Sequence, residues 1–132
     1  RVDEVPVAMA LAQAANESAW GTSRFAVEGN NIFGQWCFES GCGLVPLQRK
    51  DNASYEVRKF DSIGASVAAY IKNINSQYSY EGLRVLRARM RSRNEPLNAF
   101  ELAAGLAAYS ERGEDYVDEV QNLILQNELD RL

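Results

Sequence analysis

The chain has 132 residues, 46% of them hydrophobic and 24% charged, and a formal net charge of −4. That length allows one domain with a single core, and the composition is that of a soluble globular protein. The acidic balance argues against a nucleic-acid partner, since phosphate contacts need a basic surface, and no apolar run approaches the ~20 residues that span a bilayer. Histidine is absent, which removes Ser-His-Asp and Cys-His catalysis together with every His-based zinc site. The chain opens Arg1-Val2-Asp3 without Met or a signal-peptide pattern, so it reads as a mature or excised domain.

The first predicted helix covers residues 3–19, with Asp3 as its cap and Pro6 in the first turn, where a missing amide hydrogen does no harm. Ala8, Ala10, Ala12, Ala14, Ala15 and Ala19 let neighbouring elements approach closely, and Glu17 shares a face with Ala10, Gln13 and Ala14. Residues 21–34 read as a loop holding one helical turn. Cys37 and Cys42 follow among Ser40, Gly41 and Gly43, a segment that can bend to close a small disulfide loop, which implies an oxidising compartment. Two reduced, buried thiols are the other reading. Residues 44–48 and 55–60 resemble two short strands, with turn residues 50–54 between them.

A second helix runs over residues 61–75, capped by Asp61 or Ser62, with Val67, Tyr70, Ile71 and Ile74 as its apolar stripe. A third covers residues 80–93, where Leu83, Leu86 and Met90 lie beneath Arg84, Arg87, Arg89, Arg91 and Arg93. Those arginines read as a solvated face. Asn98 with Glu101 is a capping-box-like start for a fourth helix ending at Ala108 or Tyr109. Gly113 marks a turn, and a last helix over residues 115–128 turns Val117, Val120, Leu123 and Ile124 inward. The expected fold is mainly α (α+β) with a small β-hairpin.

One acid stands apart. Glu17 sits near a helix end between Ala and Trp side chains, where poor hydration favours the protonated form, and a protonated carboxyl can deliver a proton to a glycosidic oxygen. The plain alternative is an exposed helical glutamate. The order of the surrounding residues decides between them. Ala12, Gln13, Glu17, Ser18, Trp20 and Gly21, then Asn31, Phe33 and Gly34, then Tyr109 and Tyr116, form a series of separated motifs. This series resembles the bacterial cell-wall glucosaminidases, glycoside hydrolase family seventy-three. The segment from Trp36 to Pro46 looks like the family's Bax-type branch, and the resemblance spans roughly residues 4–128.

The resemblance implies a lysozyme-like helical domain, residues 1–132, acting on peptidoglycan glycan strands as an endo-β-N-acetylglucosaminidase without metal or cofactor. It implies Glu17 as general acid, Tyr109 beside the reacting sugar, and Asn31, Phe33, Gly34, Trp36 and Tyr116 as substrate contacts. Trp36, Phe33 and Trp20 could offer flat apolar faces to sugar rings; Trp36 is the better stacking candidate and Trp20 is expected in the core. Many relatives carry a second carboxylate just after a Val-Pro-like pair; here Val45-Pro46 is followed by Leu47-Gln48-Arg49, with no acid. Glu39, Asp51 and Glu56 are the nearby alternatives, with Glu56 taken as the candidate second catalytic acid. The substrate's own acetamido group could fill that role instead. Some of the arginines could meet carboxylates of stem peptides. A monomer in the periplasm, the cell envelope or the secreted fraction is expected. The competing readings are a muramidase or lytic transglycosylase, and a glycan-binding module that has lost catalysis.

Overall fold

The computed structural model describes residues 3–49 and 53–131. The chain is mainly helical with one small antiparallel sheet, and it divides into two compact units. The terminal unit is built from residues up to Gln13 together with the chain from Ile71 on, and the inner unit is Ala14–Tyr70. Helix α1 (Val7–Ser18) begins in the first and ends in the second, and α3 (Ile63–Ser76) runs the other way.

In the terminal unit, α1 begins at Val7, where the Pro6 carbonyl accepts from the Ala10 amide at 3.1 Å. Asp3 is therefore not its cap. Its carboxylate instead accepts from Arg91 at 2.7 Å and lies 3.6 Å from Arg87 Nε. Helix α4 (Glu81–Ser92), preceded by a 3-10 turn (Tyr78–Tyr80), buries Leu83, Arg87 and Met90. The expected solvated arginine face holds at Arg89, Arg91 and Arg93, which are exposed, and fails at Arg87. Arg87 is 3% exposed and donates to Asn75 Oδ1 at 2.6 Å and the Glu4 carbonyl at 3.0 Å. Arg84 donates to the carbonyls of Ile74 and Gln77. Arg87 falls in the same stripe as Leu83 and Met90, four residues after one and three before the other, and that spacing is the sign that it turns inward.

Asn98 caps α5 (Ala99–Leu102) by accepting from the Glu101 amide, while its own amide donates to Met90 Sδ at 3.5 Å. The chain then tightens into a 3-10 segment (Ala103–Tyr109). Small residues are needed there. A methyl group on Gly105 would lie 2.6 Å from Leu83 Cα, well inside van der Waals contact. Helix α6 (Glu114–Gln126) buries Tyr116, Val117, Val120 and Ile124, and these side chains join Met9, Ile74, Leu83, Leu102 and Leu106 among the buried residues of this unit.

In the inner unit, Ser23 caps α2 (Arg24–Gly29), the helical turn expected within residues 21–34. Strands β2 (Gly43–Leu44) and β3 (Glu56–Arg58) pair antiparallel where a hairpin was expected, though both are shorter. The turn positions 50–52 lie outside the described residues. A further strand, β1 (Trp36–Cys37), pairs with the other edge of β3, giving the order β1-β3-β2 with Trp36 opposite Val57 and Leu44 also opposite Val57. Ser62 caps α3 by accepting from the Ala65 amide at 3.0 Å.

Candidate active site

Helix α1 ends in a turn dictated by the residues just after Glu17. The Ser18 hydroxyl donates to the Ala14 carbonyl at 2.6 Å and accepts from the Gly21 amide at 2.8 Å. The Trp20 amide reaches back to Ala15 O at 2.9 Å, and the Ser23 amide to Ser18 O at 3.0 Å. Closing the turn this way puts Ala19, Trp20 and Gly21 at φ 50°, 57° and 83°. Glycine tolerates this region, whereas alanine and tryptophan do so at an expense on the order of 1–3 kcal/mol each. Trp20 is 64% exposed, so it is not the core residue its apolarity suggests; the left-handed backbone carries it outward.

Asn31 organises the next segment. Its Oδ1 accepts from the amides of Phe33 and Gln35, both at 3.2 Å, and its Nδ2 donates to the carbonyls of Gln35 and Arg58, both at 2.9 Å. Phe33 is 2% exposed and stacks on Tyr70, ring centroids 3.9 Å apart and planes 5° from parallel. Gln35 Nε2 donates to Ser66 O at 3.1 Å. Asn31 and Phe33, expected as substrate contacts, are buried and hold the loop. What the loop positions is Gly34, at φ 67°. A methyl group there would lie 2.8 Å from Glu17 Oε2 and 3.5 Å from its Cδ. Glycine adopts this backbone without strain, and a β-carbon here would push the half-buried Glu17 carboxyl aside.

Cys37 and Cys42 are bonded. The loop they close is held a second time by Glu56, which is buried on β3. Its Oε2 accepts from the Gly41 amide at 3.0 Å and its Oε1 from the Gly43 amide at 2.9 Å. These two bonds, that from Gly41 first, hold the carboxyl below its ordinary range, with the Arg49 charge adding to them against desolvation. A carboxylate kept ionised with both oxygens on the backbone is a poor proton carrier, so Glu56 reads as a loop anchor. Trp36 is 49% exposed, with one face stacked on Tyr55 at 3.9 Å and 15°. Glu39 is exposed, and Asp51 lies outside the described residues.

Tyr109 and Tyr116 belong to the terminal unit. Their rings stack at 5.6 Å and 7°, and Tyr80 lies 6.0 Å from Tyr109. Tyr109 is half-buried. Tyr116 is 0% exposed, and its hydroxyl accepts from Gln13 Nε2 at 3.0 Å, so it has no surface to offer a sugar. Sequence reasoning passed over Gln13, Tyr55 and Tyr70 as partners. A long amide side chain in an alanine-rich helix was the available sign for Gln13. Among the described residues, no group of three or more Cys, Asp or Glu side chains is placed to hold a metal, and no helix is long and apolar enough to cross a membrane.

The inner unit thus sets a half-buried glutamate at a helix end, against a left-handed glycine. Residues 1–129 match the glucosaminidase family, described as mannosyl-glycoprotein endo-β-N-acetylglucosaminidase, and the chain belongs to that family. It is similar to "Protein bax" of Escherichia coli (strain K12), with 35% identity over 116 residues. The match takes in 88% of this chain and 40% of that protein, so the chain spans about two-fifths of the curated relative's length. No solved structure matches it.

Proposed function

We propose that the chain is a catalytic domain of lysozyme-like type that hydrolyses peptidoglycan, cutting β-1,4 bonds after N-acetylglucosamine as an endo-β-N-acetylglucosaminidase. Glu17 is its general acid. The observation that carries this reading is the contact between Gly34 and the Glu17 carboxyl, since it gives both family motifs one purpose, the placement of one proton donor. Glu17 protonates the leaving oxygen as the anomeric C–O bond breaks. The carbonyl oxygen of the sugar's 2-acetamido group bonds to the anomeric carbon in the same step. Water then opens this ring and returns its proton to Glu17.

Two facts favour this one-carboxylate route. Leu47-Gln48-Arg49 follows Val45-Pro46, and Glu56 is committed to the backbone of the disulfide loop. Trp36 remains the candidate for stacking on a sugar. The disulfide and the proposed glycan substrate both favour a location outside the cytoplasm, in the bacterial envelope or beyond it.

Digestion of purified sacculi tests the reading. Reducing ends of N-acetylglucosamine are expected, and Glu17→Gln should lower the rate at least ~10²-fold with the fold intact. Reducing or anhydro ends of N-acetylmuramic acid would instead make it a muramidase or lytic transglycosylase. Binding without turnover in the unmodified chain would make it a glycan-binding module, the alternative that the missing hairpin acid favours.

A further inference from the structure

Trp20 has no part in the chemistry just described, yet the fold spends conformational strain to present it. The indole is 64% exposed on a residue at φ 57°, between Ala19 at φ 50° and Gly21 at φ 83°. Large aromatic side chains usually gain by burial, and bulky residues avoid left-handed backbone. Relaxed packing would reverse both features. The turn is instead held on several sides, by Ser18 Oγ between Ala14 O and the Gly21 amide, and by the bonds from Trp20 N to Ala15 O and Ser23 N to Ser18 O. Strain sustained by the surrounding structure is a mark of functional positions. The place of the turn matters too, since Trp20 comes three residues after Glu17.

We infer that Trp20 is a carbohydrate-stacking residue, whose exposed indole takes the apolar face of an N-acetylated pyranose ring of the glycan strand. This rests on the glycan-hydrolase reading above and adds a subsite to it. An indole face suits a pyranose because the ring's axial C–H groups form an apolar surface while its hydroxyls remain hydrated. Ser18 and Gly21 then acquire a role: they fix the direction in which the indole leaves the helix end.

The test separates ring from backbone. Glu17→Gln stops turnover so that binding can be measured, and the probe is the N-acetylglucosamine tetrasaccharide followed by calorimetry. In that background Trp20→Gly removes the indole and puts at the strained position the residue that adopts it most readily. Affinity should fall about tenfold while the melting temperature holds or rises. Trp20→Tyr, which keeps a flat ring, should stay within about threefold of the Glu17→Gln parent. Unchanged affinity in Trp20→Gly would overturn the subsite. So would a fall in both affinity and melting temperature, which would mark Trp20 as a packing residue. If the parent binds neither this probe nor sacculi, the glycan-hydrolase reading fails and the subsite fails with it. A parent that binds while Trp20→Gly binds equally well removes the subsite alone.

Discussion

At residue scale the site turns on how closely Gly34 approaches Glu17. A methyl group at Gly34 would meet Glu17 Oε2 at 2.8 Å on a backbone with φ 67°, so Gly34→Ala adds both strain and a clash with the carboxyl. Gly41→Ala is the control, because it too has a positive φ, 85°, and nothing within 4 Å of the added carbon. Both variants should lose about 1 kcal/mol of stability from the left-handed backbone. Only Gly34→Ala should also lose hydrolysis of sacculi, by about 10²-fold, since a displaced proton donor misses the near-attack geometry. Equal activity in the two variants would show that Gly34 does not set the position of Glu17. Sequence order singled out Glu17 and Gly34, but their contact was not legible, because they are far apart along the chain and meet only through the loop that Asn31 holds. The burial of Asn31, Phe33 and Tyr116 was not legible for a related reason. A motif says that a residue type is needed and is silent on whether it touches ligand or supports the residue that does.

At the scale of elements, the disulfide loop has two independent fasteners. Closing a loop this short contributes about 2 kcal/mol in the chain-entropy view. The carboxylate of Glu56 pins the Gly41 and Gly43 amides whether or not the sulfurs are joined. Reduction alone should therefore leave these two amides largely protected from hydrogen exchange, and Glu56→Ala alone should expose them only partly. Reduced Glu56→Ala should exchange both at least ~10-fold faster than either single change, with α4 and α6 amides unaffected. Full exposure on reduction of the unmodified chain would remove Glu56 as an anchor. The longer elements were readable because apolar spacing marks them: α3, α4 and α6 all lie where the stripes predicted. Strand β1 was not readable, since two residues carry no periodicity. Nor was the tightening of residues 103–109, which follows from the close approach of Gly105 to Leu83. Trp20 was misplaced because apolarity was weighed and the backbone of the Ser18–Gly21 turn was not.

For the molecule as a whole, the absence of histidine shapes the response to pH. No side chain of that type titrates between pH 5 and 8, so stability should be nearly level there. Among the described residues, two carboxyls are held below their ordinary range and set what happens on acidification, one in each unit. Asp3 is held below its ordinary range first by the hydrogen bond from Arg91, then by the Glu4 amide, with the charges of Arg91 and Arg87 also acting. Glu56 is lowered by the amides of Gly41 and Gly43. A depressed carboxyl adds stability that is complete above its unfolded value, near pH 4, and is lost as pH falls through the lower folded value. The melting temperature should accordingly hold from about pH 5.5 to 8 and decline below about pH 4.5. Asp3→Asn removes the ion pair with Arg91 and the charge facing buried Arg87. It should lower the plateau by about 2–4 °C, a small effect for a pair that is partly exposed to solvent. The sign of the linkage makes a sharper statement. The gap between wild type and Asp3→Asn must narrow as pH drops towards 2–3, because there the wild-type carboxyl is protonated too. Calorimetric melting of both proteins across that range decides it, and a gap that stays constant to the lowest pH would show that Asp3 stabilises the fold through its shape and not through its charge.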